Sequence, residues 1–184
     1  MTAFLVVVGS LLALLAIGIG LYLATPRRYQ SSATVVTSYD DWTRDGILEF
    51  YWGEHIHLGH YGSPPQRKDF LTAKVDFVHE MVRWGRLESL PPGTTVLDVG
   101  CGIGGSSRIL ARDYGFVVTG VTISPSQVTR ARELTAPELT ATFLVGDAMA
   151  LPFPDASFDV VWSVEAGPHM PDKARFAKEM VTHE

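Results

Sequence analysis

The stretch Val96-Leu97-Asp98-Val99-Gly100-Cys101-Gly102-Ile103-Gly104-Gly105 decides the fold. A short apolar run that ends in glycines is typical of a buried strand entering a tight turn. The pattern of strand followed by helix repeats along the chain, and we predict strands at residues 95–99, 116–121, 142–145 and 158–164. Strands that alternate with helices indicate an α/β domain with a parallel sheet.

Helices are predicted between and before these strands. Apolar residues recur at helical spacing over residues 67–84, and Gly85 ends that helix. A second helix ends at Tyr114, a third takes Ser124 as its N-cap and Pro125 as its first residue, and a last helix starts near Asp172.

The glycines of the opening stretch indicate a nucleotide-like ligand. Gly100, Gly102 and Gly105 satisfy G-x-G-x-x-G, which favours a dinucleotide and keeps an NAD(P)-dependent oxidoreductase as an alternative. Two residues oppose that alternative. Thr122 stands where nicotinamide sites carry an acidic ribose ligand, and the Asp98 carboxylate would repel a pyrophosphate. A carboxylate there suits the ammonium of a methionine moiety, so we predict S-adenosylmethionine as the cofactor.

A second acidic residue follows the third predicted strand. Gly146-Asp147-Ala148 places Asp147 at the strand's carboxyl end, the edge where open α/β sheets bind ligands. An acceptor there can take an adenine amino group, and the alternative for Asp147 is a turn residue. Cys101 has no paired base beside it and is interpreted as a packing residue.

The charge balance excludes some classes of protein. The 184 residues carry 15 basic and 20 acidic side chains, a formal charge of −5, so no basic surface for nucleic acid is predicted. The single cysteine excludes an internal disulfide framework and a cysteine-only metal cluster.

The chain begins with an uncharged apolar segment. Residues 3–24 would form a helix about 33 Å long, and we predict a transmembrane helix rather than a cleaved signal peptide, because no positive region precedes it. Arg27 and Arg28 follow, which predicts a single-pass anchor with the catalytic domain on the cytoplasmic or stromal side. Residues 25–38 are predicted to be a linker.

Three runs of residues resemble a known family. Asp98 to Gly104, Gly146-Asp147-Ala148 and the run 158–161 are similar to class I S-adenosylmethionine-dependent methyltransferases. Residues 45–62, 100–112, and 161–165 with 169–173 resemble, more narrowly, the tocopherol and plastoquinone pathway methyltransferases. This resemblance implies C-methylation of a 2-methyl-6-phytyl- or 2-methyl-6-solanyl-1,4-benzoquinol, with tocopherol ring methylation as an alternative.

The resemblance also implies a Rossmann-like sheet and its ligands. Gly100, Gly102 and Gly104 with Asp98 form the cofactor loop, Asp147 and Ala148 lie at the adenine side, and Thr122 with Gln127 supplies the ribose hydrogen bonds. The family sheet has seven strands and only four are predicted, so residues 91–184 are expected to be an incomplete cofactor-binding domain. The alternative is then an inactive membrane-tethered fragment.

Residues 39–90 are predicted to cap the cofactor and substrate. Methylation at a phenolic ring carbon needs a base at the hydroxyl, and the candidates are His57, His60, Glu165 and His169. Aromatic side chains are expected round the ring and the sulfonium: Tyr39, Tyr51, Trp52 and Tyr61. The spacing of His55, His57 and His60 lacks a matching carboxylate, so no metal is predicted. The expected partners are a prenylated quinol in the bilayer and membrane lipid.

Overall fold

The computed structural model describes residues 2–24 and 32–183, which belong to two compact units. The first unit, Met1–Ser31, contains helix α1 (Thr2–Ala24). The second, Ser32–Glu184, contains every other element and all the predicted site residues.

The predicted transmembrane helix is wrong. A bilayer core of about 30 Å requires about 20 consecutive, predominantly apolar residues. Among the residues for which the structure gives a placement, none of the helices has both the length and the apolarity to cross a membrane. The single-pass anchor, and the cytoplasmic or stromal orientation inferred from it, are therefore wrong as well. Arg27, Arg28 and residues 25–31 of the predicted linker lie outside the described residues.

The second unit begins with helices that precede the sheet. Helix α2 starts inside the region predicted as a linker, and Asp69 caps α4 by accepting a 2.9 Å hydrogen bond from the Thr72 N–H, which moves the start of that helix from the predicted residue 67. These helices are α2 (Ser32–Arg44), α3 (Ile47–Trp52) and α4 (Phe70–Trp84), with a 3₁₀ turn at Leu87–Ser89.

Strands and helices then alternate as predicted. The elements are β1 (Thr95–Val99), α5 (Gly105–Tyr114), β2 (Val117–Thr122), α6 (Pro125–Leu134), β3 (Ala141–Val145), β4 (Val160–Trp162), a 3₁₀ turn (Gly167–His169) and α7 (Lys173–His183). Ser124 caps α6 with Pro125 in its first turn, which confirms that prediction.

The sheet is parallel with strand order β3-β2-β1-β4, which confirms the predicted α/β class. Strand β4 is shorter than the predicted 158–164, although residues on either side of it also bond to β1. The Asp159 carboxylate accepts from the Thr95 N–H and hydroxyl, and the Ser163 hydroxyl donates to the Val99 carbonyl.

Apolar side chains cover both faces of the sheet. One cluster joins the sheet to α4 and α5 through Val78, Leu110 and Phe116, and another joins Leu97 and Leu151 to α7. Both faces of a parallel sheet must be covered in this way, since each strand is apolar on both sides.

The strand order determines where a ligand binds. The chain passes from β1 to β2 to β3 in one direction and then crosses to the other side of β1 for β4. Open α/β sheets bind ligands at the carboxyl ends of the strands, beside such a reversal. The predicted cofactor residues all lie at or just after the carboxyl ends of β1, β2 and β3.

Candidate cofactor and substrate site

The loop after β1 turns sharply between the sheet and α5. The N–H groups of Gly100 and Cys101 both donate to the Val121 carbonyl, at 2.8 and 3.1 Å. Gly100, Gly102 and Gly104 have φ values of 81, 56 and 81°, in the left-handed region that favours glycine.

Two of these glycines are needed for different reasons. A Cβ on Gly104 would lie 2.6 Å from the Phe143 ring, so this glycine allows the loop to pack on the sheet. A Cβ on Gly102 would meet nothing within 4 Å, so the backbone there borders open space. That open side is where a ligand can approach the main chain closely.

Asp98 lies deeper than the sequence suggested. It is 2% exposed, and its Oδ2 accepts a 2.6 Å hydrogen bond from the Ser107 hydroxyl in the first turns of α5. Burial raises the pKa of Asp98 to about 6, against the lowering effect of the Ser107 hydrogen bond. A buried carboxylate that is costly to ionise alone fits a ligand that brings a positive charge. The buried Asp98 carboxylate therefore fits the ammonium of S-adenosylmethionine.

Thr122 and Gln127 are brought together at the end of β2. The Thr122 hydroxyl donates to Gln127 Oε1 at 2.6 Å, and both side chains are buried. The Ser124 N–H donates to Thr122 Oγ1 at 3.4 Å. This is the pair expected at the ribose, and that role stays a prediction.

Sequence reasoning missed Asp40, which reaches this region from α2. Its carboxylate accepts from the Ser124 hydroxyl and, at 3.1 Å, from the Ser126 N–H at the first turn of α6. Although burial raises the pKa of Asp40, hydrogen bonds from Ser124 and Ser126 bring it below its usual value. No local pattern signals a cap that comes from 84 residues away.

Asp147 and Ala148 follow β3 and face different surroundings. The Asp147 side chain is exposed, and its Oδ1 accepts from the Met149 N–H at 2.9 Å, as a turn residue does. Ala148 is buried in the cluster that contains Leu97. Neither observation tests adenine binding.

The predicted base His57 has both ring nitrogens engaged. Its Nδ1 lies 2.7 Å from the Leu58 carbonyl oxygen, and its Nε2 lies 3.1 Å from Nδ1 of His55. Both imidazoles are buried, and burial lowers the pKa of each, to about 3 for His55. His55 is the second residue that sequence reasoning left out of the site.

Glu165 lies next to this histidine pair and to the glycine loop. Its Oε1 accepts a 3.1 Å hydrogen bond from the Leu58 N–H. The following residue, Ala166, packs closely on Gly100, because a Cβ added to Gly100 would lie 2.4 Å from the Cβ of Ala166. Glu165 itself has φ 54°, a left-handed conformation that is uncommon for a residue with a side chain.

The other two candidate bases lie elsewhere. The His60 N–H donates to the Ala73 carbonyl, and its Nδ1 is 3.8 Å from Glu80, so His60 contacts α4. His169 is exposed, and its ring centroid is 6.3 Å from that of Tyr39 in an edge-on arrangement. The structure thus joins His57 with Glu165 and His169 with Tyr39.

The four predicted aromatic residues do not form one cluster. Tyr39 is half-buried near His169, and burial raises its pKa. Tyr51 and Trp52 are exposed on α3, and Tyr61 is exposed in the loop that follows. Trp52 is fixed through its main chain, since its carbonyl accepts from Lys74 Nζ at 2.8 Å.

Two ion pairs attach residues 39–60 to the helices of the domain. Glu49 pairs with Arg130 of α6 at 2.7 Å, and Glu54 pairs with the buried Arg108 of α5 at 2.7 Å. Together with Asp40, these contacts place the N-terminal segment against α5 and α6, beside the glycine loop.

A cavity of about 660 Å³ lies between α2, α3 and α6. Its lining includes Arg44, Phe50 and Arg130 and none of the predicted site residues. It is therefore separate from the glycine loop and from the histidine pair. Over residues 2–24 and 32–183, no group of three histidine, cysteine or carboxylate side chains is arranged to hold a metal ion.

Comparisons with known proteins place the chain beside methyltransferases. Residues 97–183 match the family described as a methyltransferase domain. The chain is 70% identical over 182 residues to a 2-methyl-6-phytyl-1,4-hydroquinone methyltransferase of Synechocystis, covering 98% of this chain and 57% of that protein. It is 43% identical to the chloroplastic tocopherol O-methyltransferase of Arabidopsis thaliana, covering 75% of this chain and 45% of that protein. The chain thus spans about half the length of these relatives.

Solved structures share the fold. The cyclase SpnF superposes with a TM-score of 0.72 at 29% identity, over 83% of this chain and 56% of that one. A putative sarcosine dimethylglycine methyltransferase from Galdieria sulphuraria gives 0.68 at 27% identity, over 78% and 55%. Residues 97–183 thus match a methyltransferase domain, and the chain as a whole is similar to methyltransferases named for 2-methyl-6-phytyl-1,4-hydroquinone and for tocopherol.

Proposed function

We propose that this chain binds S-adenosylmethionine and acts in the methylation of a ring carbon of a prenylated benzoquinol. The observation that carries the proposal is the 70% identity, along 98% of the chain, to a protein named for 2-methyl-6-phytyl-1,4-hydroquinone. Methylation of a tocopherol is the second candidate, because the 43% identity to a tocopherol O-methyltransferase extends over 75% of the chain.

The cofactor is held by the carboxyl edge of the sheet in this proposal. Gly102 lets the main chain approach it, Asp98 supplies the negative charge for its ammonium, and Thr122 with Gln127 bonds the ribose. Asp147 and Ala148 border the adenine. When bound, S-adenosylmethionine supplies an electrophilic methyl group. The residues provide most of the rate by orientation, since a correctly aligned pair of reactants reacts far faster than a free pair.

Glu165 is the proposed base. Its carboxylate follows β4 at the ligand edge, and Ala166 beside it contacts the glycine loop. His57 is a weaker candidate, because its ring nitrogens are engaged by Leu58 and His55. Glu165 would take the phenol proton, which makes the adjacent ring carbon nucleophilic. Once that carbon has gained the methyl group, it loses its own hydrogen as a proton, and the phenol is restored. His169 and Tyr39 would border the ring on the other side.

The substrate's prenyl tail determines how it is delivered. A long isoprenoid chain partitions into lipid, because each buried CH₂ contributes about 0.8 kcal/mol. We propose that the quinol is taken from a lipid phase with its head group alone entering the site. The exposed aromatic side chains Tyr51 and Trp52 are then the proposed contacts for the part of the substrate outside.

A methyl-transfer assay tests the proposal. Labelled S-adenosylmethionine is offered with 2-methyl-6-phytyl- and 2-methyl-6-solanyl-benzoquinol and with tocopherol acceptors. Label is expected in the dimethyl-prenyl-benzoquinol that forms when a 2-methyl-6-prenyl-benzoquinol gains a second ring methyl group. Calorimetry should give heat with S-adenosylhomocysteine and none with NADH. Heat with NADH alone would instead support the oxidoreductase alternative, and cofactor binding without transfer to any quinol would support an inactive cofactor-binding chain.

The base is tested by substitution. Glu165→Gln should lower kcat by about 10²- to 10⁴-fold, because an amide cannot accept the proton. Asp155→Asn, an exposed acidic residue in the loop before β4, is the matched control and should keep full activity. Equal kcat for Glu165→Gln and the control would assign the proton to another residue.

A further inference from the structure

His55 is a buried, titratable side chain to which the proposed mechanism gives no role. It is 9% exposed and lies against the first residue of α5, where a Cβ on Gly105 would come within 2.7 Å of its Cε1. It therefore occupies the side of the glycine loop that faces the N-terminal segment.

The hydrogen bonds determine which ring nitrogens carry protons. The Leu58 carbonyl oxygen is only an acceptor, so His57 Nδ1, at 2.7 Å, must be the protonated nitrogen that donates to it. In a neutral imidazole the other nitrogen, Nε2, is then an acceptor. His55 Nδ1, at 3.1 Å from it, must in turn be protonated and donate.

Both rings are held neutral, which keeps this arrangement fixed. Burial is the main cause that lowers the pKa of His55 to about 3, and His57, Arg108 and Lys74 add to it. Burial also lowers the pKa of His57, while Leu58 and Glu165 raise it. The main chain of His55 is fixed as well, because its carbonyl accepts from Lys74 Nζ at 2.7 Å.

The chain of contacts ends on the proposed base. Leu58, whose carbonyl accepts from His57, donates its own N–H to Glu165 Oε1 at 3.1 Å. An unbroken series of hydrogen bonds thus runs from His55 through His57 and Leu58 to Glu165. The Glu165 carboxylate belongs to a loop after β4, and Leu58 is the connection that fixes it from the N-terminal segment.

We propose that His55 is a positioning residue: by donating to His57, it fixes the backbone at Leu58, and the Leu58 N–H orients the Glu165 carboxylate toward the substrate hydroxyl. The proposal rests on the proposed function for the identity of the substrate and for the role of Glu165 as the base. The hydrogen-bond series itself is testable without any turnover.

The kinetic test compares three variants. His55→Ala should lower kcat on the order of tenfold to a hundredfold, as expected when a reacting group is misplaced by about 1 Å. His55→Asn places an amide N–H close to the position of Nδ1, and should recover most of that loss. His79→Asn, a histidine of α4 that bonds the Tyr114 hydroxyl away from the site, is the matched control and should keep full activity. An unchanged kcat for His55→Ala overturns the proposal.

The spectroscopic test needs no substrate. In the unmodified protein, ¹⁵N shifts should assign the His57 proton to Nδ1, and the Leu58 amide should exchange slowly. His55→Ala should shift the ¹⁵N resonance of His57 Nε2 and should speed hydrogen exchange of the Leu58 amide. His55→Asn and His79→Asn should change neither the resonance nor the exchange rate. A proton on His57 Nε2, or Leu58 exchange unaffected by His55→Ala, overturns the proposal. If these signatures hold but no quinol is methylated, the proposed function fails and the positioning series stands.

Discussion

Asp98 is a carboxylic acid in the interior of the sheet, and its environment favours the neutral form. Burial raises its pKa to about 6, so Asp98 is ionised near neutral pH, but a small fall in pH protonates it. A cationic ligand favours the ionised form, and the group is therefore expected to couple cofactor binding to pH. In the ligand-free protein, folding stability changes with pH in the opposite direction to cofactor affinity. Because the pKa of Asp98 in the folded protein lies above the usual 3.8, protonation of Asp98 stabilises the fold, and this stabilisation is lost as pH rises through about 6.

We expect the affinity for S-adenosylmethionine to rise with pH through about 6 and then to level off. Asp98→Asn should abolish this step and weaken binding about 10- to 100-fold, the equivalent of a lost charged hydrogen bond. Calorimetric titrations between pH 5 and 8 measure both effects, with Asp155→Asn as control. An affinity for Asp98→Asn equal to that of the control at pH 8 would contradict a role for this charge.

The glycine loop allows a second comparison of single residues. Gly104→Ala combines a left-handed φ with a contact of 2.6 Å to Phe143, and should lower the free energy of unfolding by about 2 to 4 kcal/mol. Gly102→Ala has the left-handed φ but open space, so its stability loss should be about 1 kcal/mol. The main effect of Gly102→Ala should be a lower affinity for S-adenosylhomocysteine. Denaturant titration measures the stability of both variants, and calorimetry measures their affinity. Equal losses of stability for Gly102→Ala and Gly104→Ala would contradict the different roles given to the two glycines.

At the scale of elements, α2 is attached to the start of α6 by Asp40 and by Arg44, whose Nε donates to the Ser126 hydroxyl at 3.5 Å. Asp40 accepts from Ser124 and Ser126, where the N–H groups of the first turn lack partners within the helix. The negative charge also suits the positive end of the helix dipole. This contact fixes α2 beside Thr122, at the predicted ribose position.

Asp40→Ala should therefore lower the free energy of unfolding by about 1 kcal/mol, the usual effect of losing a helix cap. It should also increase protease sensitivity in residues 32–60. Asp41→Ala is the control in the same helix, because Asp41 is exposed and pairs with Arg44 only at 3.9 Å. Denaturant titration compares the two variants. A loss for Asp41→Ala as large as that for Asp40→Ala would show that the capping contact is not the cause.

At the scale of the whole molecule, the site is contained in one unit. Every contact described for the cofactor loop, the histidine pair and Glu165 lies within Ser32–Glu184, while α1 belongs to Met1–Ser31. The core clusters on the two faces of the sheet also come from the second unit.

Removal of residues 1–31 should leave S-adenosylhomocysteine affinity within about twofold of the unmodified chain, since compact units fold on their own cores. Calorimetry and a thermal melt of both proteins measure this. A loss of binding, or a melting temperature lowered by several degrees, would contradict the independence of the second unit.

The sequence was sufficient for the fold because its signals are local. Apolar runs, Gly85 and the Ser124-Pro125 cap each act within a few residues, and they located the strands and helices to within a few positions. The same applies to the glycine loop and Asp98, where a short motif couples backbone conformation to chemistry. The apolar N-terminal run was the exception: it predicted a helix correctly and a membrane span wrongly.

Only the tertiary structure decided how the distant residues combine. Asp40 on Ser124, and Leu58 on Glu165, join residues 84 and 107 positions apart, and no periodicity reports such contacts. The tertiary structure also distinguished the four candidate bases that the sequence treated alike, because it shows both ring nitrogens of His57 bonded to neighbours. Sequence thus determined which chemical groups are present and on which elements, and packing determined which of them are free and where they meet.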